Sequence, residues 1–329
     1  MLTIWPYHKE GNLCIDDNIE SVAKFFNKEY IYMYTKGLNF TYNHKIQEGI
    51  CTLSKIIVNC TYPSKEKDFP TAMRYMQDIV GLRLEFIPCL GFTIDDYVCV
   101  IREYVMEGVP VGIFFDTFDT PWHTKFYHKT HMPHVFLVVD VFEEERYLLC
   151  VDGVISNTPV KLPFQEIVLN KGILSYEPIT PRFVANLRNI IMTVTDGLTD
   201  GERSNKYDYM RLFSHDIRKL TFTDEERASY KDLNIAPFMF GMKSIEYARK
   251  NIADMFLYMS GKFNEKSKRL LDIHSMMVSA AKQWELFIVY MIKGFYSTRK
   301  TDCYMDEAAN ILLALANSEE DIAYVLLDL

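Results

Sequence analysis

Between residues 94 and 105 the apolar positions Ile94, Tyr97, Val98, Ile101, Tyr104 and Val105 recur at spacings of three and four, with charged residues between them. That period predicts a helix over 93–108 with one buried face, stopped by Gly108. On either side the pattern changes to short apolar runs. "LRLEFI" (82–87), "PVGIFFD" (110–116), "HVFLVVDVF" (134–142) and "YLLCVD" (147–152) predict strands. The run 134–142 is apolar except for His134 and Asp140, which suits a strand covered on both faces. "EEER" at 143–146 predicts the hairpin turn that joins the last two strands. Helical patterns also appear in "RYMQDIV" (74–80) and "LPFQEIVLN" (162–170). The alternating half ends near "SYEPITPRF", where Pro178 and Pro181 interrupt periodic structure.

From about Pro181 the texture becomes helical, with segments expected at 181–196, 242–261, 264–296 and 304–328. Between them, 197–240 reads as a polar, Asp-rich excursion. The pattern predicts an α+β fold divided into 1–180 and an all-helical region 181–329. The longest apolar run near the C-terminus, "LFIVYMI" (286–292), lies between Glu285 and Lys293 and is too short to span a bilayer. "MLTIWPYHKE" has no basic region followed by an apolar core, so no signal peptide is expected.

Composition narrows the class. A chain of 329 residues, 49% hydrophobic and 24% charged, reads as a soluble globular protein with one large or two ordinary cores. Its net charge of −8 argues against nucleic acid as a partner. The seven cysteines (14, 51, 60, 89, 99, 150 and 303) are odd in number and form no CxxC pair. They suggest neither a zinc ribbon nor a disulfide scaffold, and the expected setting is a reducing cytoplasm without membrane contact.

Three positions carry candidate chemistry. In "YHKEGNLCIDDNIESVAKFF" the apolar residues Ile15, Ile19, Val22 and Phe25/Phe26 predict a helix, and Gly11 and Asn12 break the chain just before it. Cys14 therefore sits at a helix N-terminus, where free N–H groups favour an anion, while the charges of Asp16 and Asp17 oppose one. His134 opens one strand of the expected hairpin and Asp152 ends the other, so the pair should face each other across the ladder. A cysteine on a helix, approached by a histidine with an acidic orienter, suits thiol catalysis. "HTKFYHKTHMPH" also gathers His123, His128, His131 and His134. Pro133 breaks any single helical face there, Asp116 and Asp119 are the only carboxylates near in sequence, and no metal is expected. His274, alone on an apolar helix, reads as a core residue.

The ordered set "LCIDDNIESVAKFF", "YTKGLNFTY", "GVPVGIFFDTFDTPW" and "FYHKTHMPHVFLVVDVFEEERYLLCVDG" resembles the N-terminal domain of the butirosin biosynthesis H family over roughly 10–180. It contains G-x-x-F-x-Y at 37–42, D-x-F-x-x-P-W at 116–122 and H-x-x-H at 131–134. The resemblance implies a papain-like fold and an acyltransferase that moves an acyl or peptidyl chain from a carrier-protein thioester to a small amine acceptor. No cofactor is implied beyond the carrier's phosphopantetheine. Carried over, Cys14 matches the nucleophile, His134 the base and Asp152 the orienting residue. Asp116, His131 and Trp122 are expected to contact substrate. Papain-like peptidases often place a glutamine for the oxyanion six residues before the nucleophile; here that position is His8, and Asn12 and Trp5 are the other candidates. The departure weighs against peptide hydrolysis more than against transfer from an activated thioester. A basic cluster for the carrier is expected at Lys262, Lys266, Lys268 and Arg269. Two other readings stand beside amide synthesis: a thioesterase or peptidase using the same three residues, and an inactive binding module.

Overall fold

The structure, a computed structural model, describes residues 2–42, 58–59, 76–129, 131–169, 172–195, 205–220, 222, 224–229, 233, 237–297 and 301–329. In chain order it runs through α1 (Cys14–Phe25), β1 (Thr41–Tyr42), β2 (Val58–Asn59), β3 (Leu82–Pro88), α2 (Ile94–Met106) and β4 (Val111–Asp116). There follow β5 (Pro133–Phe142), β6 (Tyr147–Val151), β7 (Val160–Pro163) and β8 (Gly172–Pro178). The helices α3 (Leu187–Val194), α4 (Asn205–Ile217), α5 (Asp224–Ser229), α6 (Pro237–Lys262), α7 (Ser267–Tyr296) and α8 (Thr301–Leu327) complete it.

The chain divides into two units, one of Met1–Tyr30 with Pro70–Val184 and one of Ile31–Phe69 with Ala185–Leu329. The second junction lies near the expected boundary at 180. The first does not follow the expectation, because the segment after Tyr30 belongs with the helices. Physical reasons are visible: Phe40 and Tyr42 are buried in the helical core, and the Arg249 guanidinium donates to the carbonyls of Gly37, Leu38 and Asn39.

In the first unit, six antiparallel strands lie in the order β3-β8-β4-β5-β6-β7. Thr93 and Asp96 cap α2 reciprocally, side chain to backbone N–H in both directions, so the amphipathic run begins where its pattern predicts. Its Tyr97, Val98, Ile101 and Val105 bury against Val111, Ile113 and Phe115 of β4, Phe136 and Val138 of β5, and Cys150 of β6. α1 packs along β5, with Ile19, Val22 and Ala23 fully buried. Extended backbone leads into it: the Leu2 N–H donates to the Val139 carbonyl at 3.0 Å, and Tyr7 crosses Gly153. A Cβ at position 153 would lie 2.1 Å from the Tyr7 carbonyl oxygen, which is why glycine follows Asp152.

Several expected elements change. Residues 162–169 are not an α-helix: β7 pairs with β6, setting Leu162 opposite Leu148, and only the short turn Phe164–Glu166 follows, with 170 outside the described residues. The expected helix at 74–80 reduces to one wide turn at Met76–Val80, with 74–75 outside the described residues. β8 was not expected, although it lies between β3 and β4.

Of the helix expected over 181–196, the described residues form Leu187–Val194, with 196 outside them. The excursion 197–240 contains α4 and α5. α4 buries Tyr207, Met210, Phe213 and Ile217 in a core shared with Trp284, Phe287, Met291 and Leu312. The last three expected helices appear as α6, α7 and α8 with shifted ends. His274 is half-buried, and its Nδ1 lies 2.9 Å from the Ala253 carbonyl, which ties α7 to α6. No described helix is long and apolar enough to cross a membrane.

Candidate active site

Cys14, His134 and Asp152 meet in the first unit. The Leu13 N–H donates to Asp16 Oδ2 at 3.1 Å, which fixes the start of α1 and sets half-buried Cys14 on its first turn. His134 lies on β5 opposite Phe115 of β4. It is not directly opposite Asp152: Leu137 pairs with Val151, so Phe136 takes that position and His134 is the diagonal neighbour. The side chains nonetheless meet, with His134 Nε2 2.7 Å from Asp152 Oδ2. Both are buried, at 6% and 1% exposure.

Cys14 is the second partner of the ring, and its side chain interacts with His134. Burial alone would strip the charge from this imidazole. The hydrogen bonds to Asp152 and Cys14, and the charges of both groups, reverse that effect and push His134 up to about 10. The ring is therefore an imidazolium at neutral pH, placed against a sulfur atom and held from behind by a carboxylate. Chemically, the arrangement can pair a thiolate with a proton donor and exchange that proton during attack and release.

Groups around these three residues fix their arrangement. The Trp122 indole N–H donates to Asp152 Oδ2 at 2.8 Å, and its ring stands edge-on to Phe136 at 5.0 Å. Trp122, expected to touch substrate, thus orients the acid. Asp116 Oδ1 accepts the backbone N–H groups of Phe118 and Met132, at 2.9 and 3.1 Å. Its Oδ2 lies 3.1 Å from Nδ1 of exposed His131, whose ring stacks on Phe118 at 4.2 Å. Partial burial raises the Asp116 carboxyl, but these donors outweigh it and hold it below its usual range. Asp116 and His131 brace the loop that carries Trp122.

The expected oxyanion side chains turn to the acids of α1. His8 Nδ1 lies 2.6 Å from Asp17 Oδ2, and Asn12 Nδ2 donates to Glu20 Oε2 at 3.3 Å. Burial raises the Asp17 carboxyl despite the opposing pull of His8, Asn12 and the Lys9 N–H. Trp5 is 71% exposed. The four histidines of 123–134 also part company: His128 and His131 lie against Phe118, whereas His123 stands edge-on to His134 with ring centroids 6.2 Å apart. Among the described residues, no three His, Cys, Asp or Glu side chains gather as metal ligands would.

Sequence reading missed two neighbours of the site. Asn18, one helical turn beyond Cys14, donates its buried amide to the Val135 carbonyl at 3.1 Å. Tyr176 of β8 is sealed from solvent beside it, and its hydroxyl makes no hydrogen bond of normal geometry. Asn18 was detectable as a polar residue on the buried face of an amphipathic helix, four positions from the cysteine. Nothing local in the sequence marks Tyr176. No protein-family model matches the chain, and no curated protein matches it.

Proposed function

We propose that this chain is a cysteine-dependent, amide-forming acyltransferase, its sheet unit papain-like and its donor a thioester delivered on a carrier protein. One observation carries the reading: a buried histidine bonded at once to a carboxylate and to a cysteine on the first turn of a helix. The resemblance of residues 10–180 to the butirosin H family supports the choice of donor and acceptor.

In this reading Cys14 sulfur attacks the thioester carbonyl, and the carrier's sulfur leaves with the proton from His134. The result is an acyl-Cys14 thioester beside a neutral imidazole, which Asp152 holds in the tautomer protonated at Nε2. An amine then attacks the carbonyl, its proton passes to His134, and the Cys14 sulfur departs. The imidazolium and the thiolate are restored. First-turn N–H groups, the Cys14 backbone N–H among them, supply donors for the oxyanion, since His8 and Asn12 are committed elsewhere. The basic residues Lys262, Lys266, Lys268 and Arg269, on and beside the α6–α7 turn, are the proposed carrier contact.

Intact-protein mass spectrometry with an acyl-thioester donor tests this. The parent should gain one acyl group mapping to Cys14, and Cys14→Ala should gain none. Acylation at Cys51, Cys60 or Cys99 instead removes the assignment. An acyl-enzyme that releases only acid, whatever amine is added, transfers the protein to the thioesterase reading.

A further inference from the structure

Aminolysis has a proton count that hydrolysis lacks. Near neutral pH an alkylamine arrives as an ammonium ion, with three protons on nitrogen, and an amide nitrogen keeps one. Two protons must therefore leave. In the acyl-enzyme of the function proposed above, on which this inference rests, His134 is neutral and has room for one of them. Its Nε2 is already directed to Asp152, its ring also interacts with Cys14, and it is only 6% exposed.

A second imidazole lies beside it. His123 stands edge-on to His134, centroids 6.2 Å apart and planes at 76°, with Phe126 behind it at 4.5 Å. Its backbone is pinned by the turn in which the His123 N–H donates to the Thr120 carbonyl at 3.0 Å. The preceding residue is Trp122, whose indole is fixed on Asp152, so one short loop sets both rings over the His134–Asp152 pair. His123 is half-buried, so a proton it receives has a route to water. Its ring is also in reach of its own backbone carbonyl.

We propose that His123 is a second base of the transfer step: it takes the first proton from the acceptor's ammonium group, and His134 takes the second as the C–N bond forms. The acceptor class is accordingly a basic primary amine. The charged or titratable groups that face His123 are His134 from β5, Asp152 beyond β6 and Lys125 from its own loop. Burial is the largest influence on His123 and holds it below the usual imidazole range, with Asp152 opposing. A ring so placed is neutral at the pH where an alkylamine is charged.

The test compares two acceptors on acyl-Cys14 formed from an octanoyl N-acetylcysteamine thioester: butylamine, an ammonium at neutral pH, and methoxyamine, which is already neutral. Acyl-Cys14 loss and amide formation are followed by mass spectrometry. In His123→Gln and His123→Asn, formation of acyl-Cys14 reports a folded site. The ratio of butylamine to methoxyamine transfer should fall by about tenfold or more, and added imidazole should restore it. An unaltered ratio, or equal losses with both amines, overturns the assignment. In the parent the ratio should stay nearly level from neutral pH upward. A ratio that climbs about tenfold per pH unit shows that only free amine reacts, and also overturns it. Failure of the parent to form acyl-Cys14 is a different result, which removes the acyltransferase reading itself.

Discussion

His134 shows how a few contacts outweigh burial. A ring at 6% exposure would be neutral at pH 7 in an apolar setting; between Asp152 and Cys14 it is pushed up to about 10. The linkage has a definite sign. Its folded value lies above the unfolded one, about 6.5, so the protonated ring contributes stability in full below about pH 6.5. That contribution fades as pH rises toward about 10. In urea unfolding, the stability margin of the parent over His134→Gln should narrow across that window, by an amount on the order of a few kcal/mol. A margin that is flat across it means the ring is neutral throughout. The same residues mark a limit of reading from sequence. Cys14, His134 and Asp152 were legible because their residue types and order match a chemistry. Their contact runs diagonally across a hairpin with a bulge between Val138 and Asp140, and no composition rule gives that register.

α1 brings a sulfur atom and β5 brings an imidazole, so the geometry of the candidate site depends on how these two elements are joined. Asn18 is the buried polar link between them: its amide, one turn from Cys14, donates to the carbonyl next to His134. Asn18→Leu should cost about 0.5–1.5 kcal/mol in stability for the lost hydrogen bond. It should also loosen the thiol from its histidine. Iodoacetamide labelling measures this, with exposed Cys303 as the internal reference. The labelling rate of Cys14 relative to Cys303 should change in Asn18→Leu and return toward the parent value in Asn18→Gln. An unchanged ratio assigns the alignment to apolar packing alone. Legibility at this scale followed the strength of the pattern. α2 and the strands β3 to β6 have clear periods and were predicted close to their observed ends. β8 was hidden because "GILSYEP" begins with glycine, ends with proline and carries the polar Ser175 and Glu177. α4 did carry a signal: Tyr207, Met210, Phe213 and Ile217 keep helical spacing within a polar stretch.

On the scale of the whole molecule, a fully buried arginine anchors a distant part of the chain. Arg249 meets Glu319 at 2.8 Å, and both side chains are 0% exposed. Glu319 also accepts the Trp284 indole N–H at 2.8 Å, and the guanidinium donates to three successive carbonyls at 37–39. With so many partners the pair is well compensated, and removing one member strands the other charge. Arg249→Met should destabilise the helical unit by about 3–5 kcal/mol, read from thermal unfolding by circular dichroism. A loss below about 1 kcal/mol would mean that Glu319 finds a proton or water. This anchoring also has a temporal side. A ribosome releases α1 first, but β5 and β8 follow more than a hundred residues later, and Arg249 later still. At usual elongation rates, on the order of ten seconds separates the appearance of Cys14 from that of the sheet's last strand. Until β5 is made, the nascent chain carries Cys14 without His134. The thiol meets its histidine only once β5 is made, and the sheet behind that pair closes only with β8.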